Sequence, residues 1–267
     1  MKKIFIPGAV ILAAVTLFSC QKTVHPDLNT ASPKLVIVGE VTDGPGPYTV
    51  AINRSVGFYS DNDFPAVDGA TVKISDNLGV TDTLTETSPG VYTTHVLHGV
   101  TGNTYTLSVT VNDTSFTAIS TMPAKVLLDS VTFDHSGGRR QKSEIIPQAN
   151  YQDPAGIKNY YQFALYINGT QFTKDIYAFN DRLTDGRYLI QSLRMDSTYL
   201  DPGDLVKVDM YCIDVNVYDY FNQLSRASGT GAFNTAAAPA NPATNITGGA
   251  YGVFSAHTVS SKTVTVF

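Results

Sequence analysis

The amino-acid sequence predicts an all-β protein made of two β-sandwich domains, with one short helix in the second. Val, Thr and aromatic residues are plentiful, among them 15 Tyr and 13 Phe, and such side chains favour strands. Short runs of alternating apolar and polar residues are separated by Asn, Asp, Gly and Pro, as in sandwiches. Hydrophobic residues make up 43% of the chain and charged residues 15%, which provides apolar surface for a sizeable core.

The charge balance disfavours a nucleic-acid partner. The chain has 18 Lys and Arg against 23 Asp and Glu, a formal charge of −5. Proteins that bind nucleic acid carry a surplus of basic residues that neutralises phosphates. We therefore predict that nucleic acid is not a partner.

The N-terminus has the pattern of a lipoprotein signal. Lys2 and Lys3 precede an uncharged, largely apolar run at 4–18. This run is short for a membrane span and fits the apolar part of a signal peptide. It ends in Leu17-Phe18-Ser19-Cys20, which resembles a bacterial lipobox.

The lipobox divides the N-terminal region into three parts. We predict a signal peptide at 1–19, lipidation of Cys20, and a polar tether over 20–32. The acyl chains would hold the protein in a lipid bilayer. An ordinary signal peptide with a chance cysteine is the alternative. Lipidation of Cys20 leaves Cys212 without a partner, so we predict no disulfide and a buried, inert thiol.

The first domain, at 33–122, is predicted from a series of short strands. Residues 105–111 alternate most cleanly, which is typical of a half-buried antiparallel strand. The residues on its apolar face are Tyr105, Leu107, Val109 and Val111. Asn112-Asp113 then turns the chain. The other predicted strands of this domain are 34–41, 71–75, 91–96 and 115–120.

The second domain is predicted over 123–267, because Pro123 interrupts strand pairing. Asn168-Gly169 is a preferred dipeptide for a type I′ hairpin and lies between predicted strands at 160–167 and 170–178. Further strands are predicted at 129–133, 188–195, 205–213 and 262–267.

One amphipathic helix is predicted after the strand at 205–213. Apolar residues recur there at i, i+3, i+4 and i+7, namely Val217, Tyr220, Phe221 and Leu224. Asp214 or Asn216 is predicted to cap its start, and Gly229 to end it. The segment 230–249 is rich in Ala, Pro, Asn and Gly and is predicted to be a long irregular loop.

Several motifs occur in an order that resembles one known family. They are the lipobox cysteine, PKLVIVG at 33–39, VTDGPGPYTV at 41–50, GATVKI at 69–74, SPGVY at 88–92, DRLTDG at 181–186, ANPATNI at 240–246 and GAYGVF at 249–254. From about residue 20 to its end, the chain is similar to a Bacteroidota domain-of-unknown-function lipoprotein family, number four-two-four-nine of that series.

The resemblance implies a lipoprotein of the outer membrane, on either its periplasmic or its surface face, with an accessory role in capture or uptake, because such proteins are commonly encoded beside outer-membrane TonB-dependent receptors. It implies no catalytic residues. The first half is also similar in layout to carboxypeptidase-regulatory-like and transthyretin-like sandwiches, of the immunoglobulin-like kind, which are usually structural or binding modules.

The chemistry-bearing residues form no catalytic motif. The sequence contains no Gly-x-Ser-x-Gly elbow, His-Glu-x-x-His pair or phosphate loop, so we predict a non-catalytic protein without a cofactor. Asp61-Asn62-Asp63 and Asp68 could supply oxygen ligands to a structural calcium ion, although they are also ordinary turn residues. Asp181, Arg182 and Asp185 could bind a polar ligand, or they could form a turn that is held by a charge-assisted hydrogen bond between Asp and Arg.

The predicted binding surface combines the helix with the loop that follows it. Tyr218 lies off the apolar stripe, and long loops on a rigid scaffold often bind partners. The candidate contacts are Tyr218, Thr235, Asn241 and Asn245; the alternative is that 230–249 is a strap over a sheet edge. We expect an accessory binding module of a TonB-dependent uptake system. A structural or adhesion protein of the cell envelope and an unrecognised exported hydrolase are the alternatives.

Overall fold

The computed structural model describes residues 32–57, 63–136, 144–195, 200–228 and 241–267, so the predicted signal peptide and Cys20 lie outside the described residues. Within them the chain forms fifteen strands and one helix, which confirms the all-β class. The elements are β1 (Leu35–Thr42), β2 (Thr49–Arg54), β3 (Thr71–Asp76), β4 (Thr81–Thr83), β5 (Thr85–Ser88), β6 (Val91–Thr93), β7 (Thr104–Val111), β8 (Thr114–Thr121), β9 (Leu128–Ser136), β10 (Glu144–Gln152), β11 (Tyr160–Ile167), β12 (Thr170–Asn180), β13 (Tyr188–Ser192), β14 (Leu205–Cys212), α1 (Val215–Ala227) and β15 (Tyr251–Thr265). In the part of the chain that the structure describes, no helix has the length and apolar character that crossing a membrane requires.

One eight-stranded sheet contains strands from both ends of the described chain. Its order is β12-β11-β14-β15-β1-β2-β6-β5. The strand β15 joins its two halves, because it pairs parallel with β1 and antiparallel with β14. In this register Val253 lies opposite Val38, and Ser260 lies opposite Met210. The first and last strands of the described residues therefore share one hydrogen-bonded ladder.

Two smaller sheets pack on the large sheet, and a hydrophobic core lies beneath each of them. The sheet β4-β3-β7-β8 covers a first core, and the sheet β13-β10-β9 covers a second. Fully buried side chains of the first core include Ile37, Ile52, Val72, Tyr105 and Phe254. Those of the second include Tyr151, Tyr161, Leu165, Val208 and Met210. Each half of the molecule is thus a β-sandwich.

Helix α1 packs on the opposite face of the large sheet. Along β15, Phe254 is buried in the first core and Val264 packs against the second. Val253 instead packs with Val217 beneath the helix. Because successive side chains of a strand point to opposite faces, the helix and the two cores lie on different sides of β15. Residues 252–258 are accordingly all buried.

The predicted strands at 34–41, 71–75, 105–111, 115–120 and 160–167 are confirmed to within one residue at each end. The alternation in β7 is also confirmed, since the four apolar residues of the predicted face are buried. Both predicted tight turns use the left-handed region, with φ of 45° at Asn112, 61° at Asp113, 51° at Asn168 and 83° at Gly169.

Five strand predictions have wrong bounds. Those at 129–133 and 170–178 are too short, because β9 continues to Ser136 and β12 to Asn180. The strand predicted at 91–96 ends at Thr93, because the following backbone N–H groups turn away to donate to Asp82 Oδ2. The strand predicted at 188–195 ends at Ser192. The strand predicted at 262–267 begins much earlier, at Tyr251. Burial on both faces removes the alternation that identifies a half-exposed strand, which is why the first part of β15 was not predicted.

Four further strands were not predicted from the sequence. They are β2, β4, β5 and β10. Two of them, β4 and β5, are only three and four residues long, too short for a visible pattern. The strand β10 contains Pro147, a residue that sequence reasoning treats as the end of a strand.

The division into two domains at residue 122/123 stays a prediction. The first core includes four residues from the C-terminal part of the chain, namely Ile246, Ala250, Phe254 and Ala256. A fragment over 33–122 would therefore lack part of the core that it helps to form.

Candidate functional site

A cleft of about 630 Å³ opens where β11 begins, β12 ends and α1 begins. This volume lies within the range of small-molecule sites, about 300–1,000 Å³. The lining combines aromatic, cationic, acidic and apolar side chains: Gly156, Ile157, Lys158, Tyr160, Asn180, Asp181, Arg182, Asp185, Val215, Tyr218 and Asp219. The cleft thus joins the DRLTDG motif and Tyr218, which the sequence analysis identified separately.

The start of α1 is fixed to the sheet by its N-cap. Asp214 is the cap, and its Oδ1 accepts hydrogen bonds from the backbone N–H groups of Asn216 (2.8 Å) and Val217 (3.0 Å). Its Oδ2 accepts from Ser120 Oγ and from the Thr121 N–H group at 3.2 Å. Because strand β8 supplies these last donors, one carboxylate both caps the helix and ties it to the first sandwich. The helix ends at Ala227, with Ser228 as C-cap, and the predicted terminator Gly229 lies outside the described residues.

Two tyrosines form the aromatic side of the cleft. The rings of Tyr160 and Tyr218 have centroids 5.1 Å apart at an interplanar angle of 37°. Asn180 Nδ2 donates to the Tyr218 hydroxyl at 2.6 Å, which holds the ring over the end of β12. Both rings are half-buried, so each keeps an edge at the surface. Aromatic rings with a polar group at the water boundary are suited to binding ligands.

Three carboxylates meet at the acidic side of the cleft. One oxygen each of Asp153, Asp181 and Asp185 lies within 4.8 Å of the others. Asp153 and Asp181 are buried, whereas Asp185 is exposed. Sequence reasoning noted Asp181 and Asp185 but missed Asp153, which follows β10, a strand that it did not predict.

Backbone N–H groups and one tyrosine hold these carboxylates. Gly186 N–H donates to Asp153 Oδ2 at 2.9 Å, Asn159 N–H to Asp181 Oδ2 at 2.7 Å, and Gly156 N–H to Asp185 Oδ1 at 2.8 Å.

The Tyr161 hydroxyl donates to Asp153 Oδ1 at 2.5 Å. Burial and the neighbouring Asp153 carboxylate raise the pKa of Tyr161 far above its usual range, so the hydroxyl stays a donor. The Asp–Arg bond considered for the DRLTDG turn is not among the ion pairs of the described residues, which join other side chains.

The acidic loop considered for calcium from the sequence is only partly described. Asp61 and Asn62 lie outside the described residues, while Asp63 and Asp68 are exposed. Across the described residues, the group of acidic side chains close enough to share a cation is the one at the cleft. A calcium ion at 61–68 stays a prediction.

The other predicted contact residues lie along the segment that precedes β15. Asn241 is exposed, and its Nδ2 donates to the Tyr251 hydroxyl at 3.0 Å. The Asn245 side chain makes two hydrogen bonds to the backbone of Phe254 on β15. Its Nδ2 donates to Phe254 O at 2.7 Å, and its Oδ1 accepts from Phe254 N–H at 3.0 Å. Ile246 bridges to Ala118 on the edge strand β8. This part of the segment has the geometry of the strap alternative; Thr235 lies outside the described residues.

A Ser–His pair on β15 was not anticipated from the sequence. Ser255 Oγ lies 2.9 Å from His257 Nδ1, and the imidazole packs edge-on against the Tyr211 ring with centroids 4.9 Å apart. The exposed fractions of Ser255 and His257 are 7% and 6%. Burial lowers the pKa of His257 to about 4, so the ring is neutral near pH 7. A buried pair with a weak base is suited to packing rather than to attack on a substrate.

The buried His257 predicts an acid-sensitive fold. An unfolded histidine binds a proton below a pKa of about 6.5, whereas folded His257 does so only near 4. As pH falls between these values, protons favour the unfolded chain, so the free energy of unfolding should decrease by about 3 kcal/mol in total. Urea titrations at pH 7 and pH 4.5 should show a smaller decrease for His257→Asn than for the parent.

The exposed His98 provides the matched control for that experiment. His98→Asn should retain the parental pH dependence. Burial raises the pKa of Glu40, so protonation of this carboxyl favours the folded chain, the opposite sign to His257; Glu40 is common to all three proteins, so its contribution cancels in the comparison. Equal pH dependence for His257→Asn and the parent would contradict the prediction.

The thiol of Cys212 is buried and free, as predicted. The Val126 N–H group donates to its Sγ at 3.3 Å. Burial raises the pKa of Cys212, so the less reactive thiol form predominates at neutral pH.

Comparisons with known proteins locate the chain in one family of domains. The protein-family model described as "Domain of unknown function (DUF4249)" matches residues 21–263. No curated protein matches the chain. A solved structure titled "Structure of Yersinia pseudotuberculosis adhesin InvE" is similar at 19% identity and a TM-score of 0.20, over 67% of this chain. The similar region spans 55% of the length of that adhesin chain.

Proposed function

The chain belongs to the DUF4249 family of domains of unknown function, and on this premise we propose that it is a non-catalytic, membrane-anchored binding protein. It acts as an accessory module of a TonB-dependent outer-membrane uptake system. The observation that carries the binding role is the cleft at the start of α1, where tyrosines, cations and carboxylates line one open volume. The anchor rests on the lipobox at Cys20, and the uptake role on the resemblance described above.

The composition of the cleft favours a small polar ligand. Lys158 and Arg182 supply hydrogen-bond donors, Asp181 and Asp219 supply acceptors, and Tyr218 supplies an aromatic ring. Such mixed lining suits ligands that carry hydroxyl or amide groups, among which sugars and short peptides are the natural classes to test. Helix α1 and the end of β12 are rigid supports, so the site needs little reorganisation to bind.

The burial of two potential nucleophiles among the described residues supports a role without covalent catalysis. Cys212 and Ser255 are both enclosed, and neither lines the cleft. A nucleophile must reach its substrate, with a base of suitable pKa beside it. The residues that do line the cleft offer recognition through charge and aromatic contact.

The proposed function predicts that cleft variants lose ligand and partner capture together. Tyr218→Ala removes the aromatic ring and Arg182→Ala removes an exposed cation, so each should weaken binding about tenfold or more. The full chain, purified in detergent, would be screened against sugars and peptides by thermal shift and calorimetry. The same proteins would serve as bait for receptors from detergent-solubilised outer membrane.

Tyr188→Ala is the matched control, because Tyr188 is an exposed tyrosine on β13 that does not line the cleft. It should bind like the parent. If both cleft variants retain parental ligand binding and receptor capture, the cleft is not the site. Capture of envelope proteins without a TonB-dependent receptor would instead favour a structural or adhesion role.

A further inference from the structure

The carboxylate group beside the cleft concentrates negative charge without a matching side-chain cation. Asp153, Asp181 and Asp185 converge within 4.8 Å, and two of them are buried. The ion pairs formed by described residues do not involve these carboxylates. Lys158 and Arg182 line the same cleft, yet their side chains are exposed. Buried charges in proteins are normally paired with a counter-charge or coordinated to a metal.

An independent feature at the same place is an oxygen without a partner. Asn159 is 6% exposed, and its side-chain Oδ1 is buried without a hydrogen-bond partner among the described residues. Buried polar atoms are nearly always satisfied, so such an atom indicates a partner of another kind. A carboxamide oxygen can act as a metal ligand but cannot donate a hydrogen bond.

The strand register places the Asn159 side chain on the same face as the Asp181 carboxylate. Tyr160 pairs with Asn180 in the β11–β12 ladder, and Asp181 N–H continues it by donating to Asn159 O at 3.2 Å. Opposed residues of an antiparallel pair project their side chains from the same face, so Asn159 and Asp181 are neighbours there. Side chains two apart also share a face, and Tyr161, two residues after Asn159, contacts Asp153.

We propose that Asp153, Asp181, Asp185 and the side-chain oxygen of Asn159 bind a calcium ion at the acidic side of the cleft. Ca²⁺ takes about six to eight oxygen ligands at about 2.3–2.6 Å, so oxygens on opposite sides of the ion lie about 4.6–5.2 Å apart. Three carboxylate oxygens that all lie within 4.8 Å of one another can therefore surround one such ion. Mg²⁺ demands near-ideal octahedral geometry at about 2.0–2.1 Å and usually keeps several waters, so a site that offers four protein oxygens favours Ca²⁺.

The ion would join two segments that carry the cleft. Asp153 and Asn159 flank the connection from β10 to β11, whereas Asp181 and Asp185 belong to the connection from β12 to β13. The hydrogen bonds from Tyr161, Gly156 and Gly186 orient the carboxylates, as outer-shell groups do in metal sites. Calcium would thereby order the acidic wall of the cleft, a property that goes beyond the proposed binding role.

The test uses the full chain in detergent, stripped of metal with a chelator, and measures cation binding directly. Tb³⁺ is a luminescent substitute for Ca²⁺. Tyr161 should sensitise Tb³⁺ emission, because its hydroxyl is hydrogen-bonded to Asp153, one of the proposed ligands. Ca²⁺ should displace Tb³⁺, whereas an equal concentration of Mg²⁺ should not. Free Ca²⁺ at ten times its Kd should also raise the Tm by about 3–6 °C.

Two substitutions locate the site. Asp181→Asn and Asp185→Asn preserve the oxygen that accepts a backbone hydrogen bond but remove a charge each, so each should weaken Ca²⁺ binding at least tenfold. Asp129→Asn alters an exposed carboxylate on β9 and should bind like the parent. Circular dichroism of each metal-free variant establishes that it is folded.

Three outcomes would overturn the proposal. They are a folded parent that shows neither Tb³⁺ emission nor a Ca²⁺-dependent Tm, Ca²⁺ binding that survives both substitutions, and Mg²⁺ binding as tight as that of Ca²⁺. These readouts involve no cleft ligand, so they are independent of whether the cleft binds a sugar, a peptide or a receptor.

Discussion

Replacing Gly252 with alanine is expected to lower the free energy of unfolding by about 3–5 kcal/mol, among the largest effects of a single substitution. Gly252 has a φ of 102°, a conformation that L-residues rarely adopt. An alanine Cβ would also lie 2.0 Å from the Ile37 carbonyl oxygen and 2.8 Å from the Ile37 carbonyl carbon. Since both are backbone atoms of β1, relief requires β1 and β15 to move apart where they join the two halves of the large sheet.

The substitution Gly79→Ala is the matched control, because it separates the cost of the steric clash at Gly252 from the cost of the backbone conformation. The φ of Gly79 is 96°, close to that of Gly252, but a Cβ there would meet nothing within 4 Å. Gly79→Ala should therefore cost about 1–2 kcal/mol, the price of the left-handed backbone alone. Urea unfolding followed by circular dichroism would give both values. Equal losses for the two variants would mean that β1 and β15 do not approach as closely as described.

Replacing Cys20 with alanine is expected to abolish acylation completely. The lipobox predicts that the lipid is attached to the sulfur of Cys20, and alanine has no sulfur with which to form that bond. Without acyl chains the protein has no anchor of the kind predicted, so it should appear as an unprocessed or soluble form. Metabolic labelling with a fatty-acid analogue, followed by membrane fractionation, measures both consequences.

Cys212 supplies the matched control for that labelling experiment. Its thiol is buried, with an exposed fraction of 1%, so Cys212→Ala should retain full acyl labelling and membrane attachment. If Cys20→Ala still takes up the label and stays in the membrane fraction, the lipobox prediction is wrong.

Local pattern was sufficient for strand β7, helix α1 and the hairpin between β11 and β12. Strand β7 alternates because one face meets the first core and the other meets water, and its residues were predicted correctly. Helix α1 was recognisable from its apolar stripe and from Asp214, whose carboxylate caps the nearest N–H groups. The hairpin at Asn168-Gly169 was identified because these residues tolerate the left-handed backbone of the turn.

The site was only partly accessible to the same reasoning. Tyr218 and the DRLTDG motif were identified, but nothing in their spacing indicates that they share a cleft. Asp153 lies 28 residues before Asp181 in the sequence. It follows β10, a strand that was not predicted because it contains Pro147. Asn159 is an ordinary loop asparagine by sequence, and its unpartnered oxygen becomes visible only when burial and hydrogen bonds are known.

The strand-rich class, the tight turns and the helix with its cap follow from short stretches of sequence, because each depends on neighbouring residues. The lipid anchor at Cys20 is a prediction from the same kind of local pattern. Tertiary structure decided that β15 lies between β1 and β14, so that one sheet serves both cores. It also decided that carboxylates from two separate connections face one another. The physical reason is that pairing between distant strands depends on which faces must be buried together. A strand such as β15, covered on both faces, carries no alternation to identify its partners.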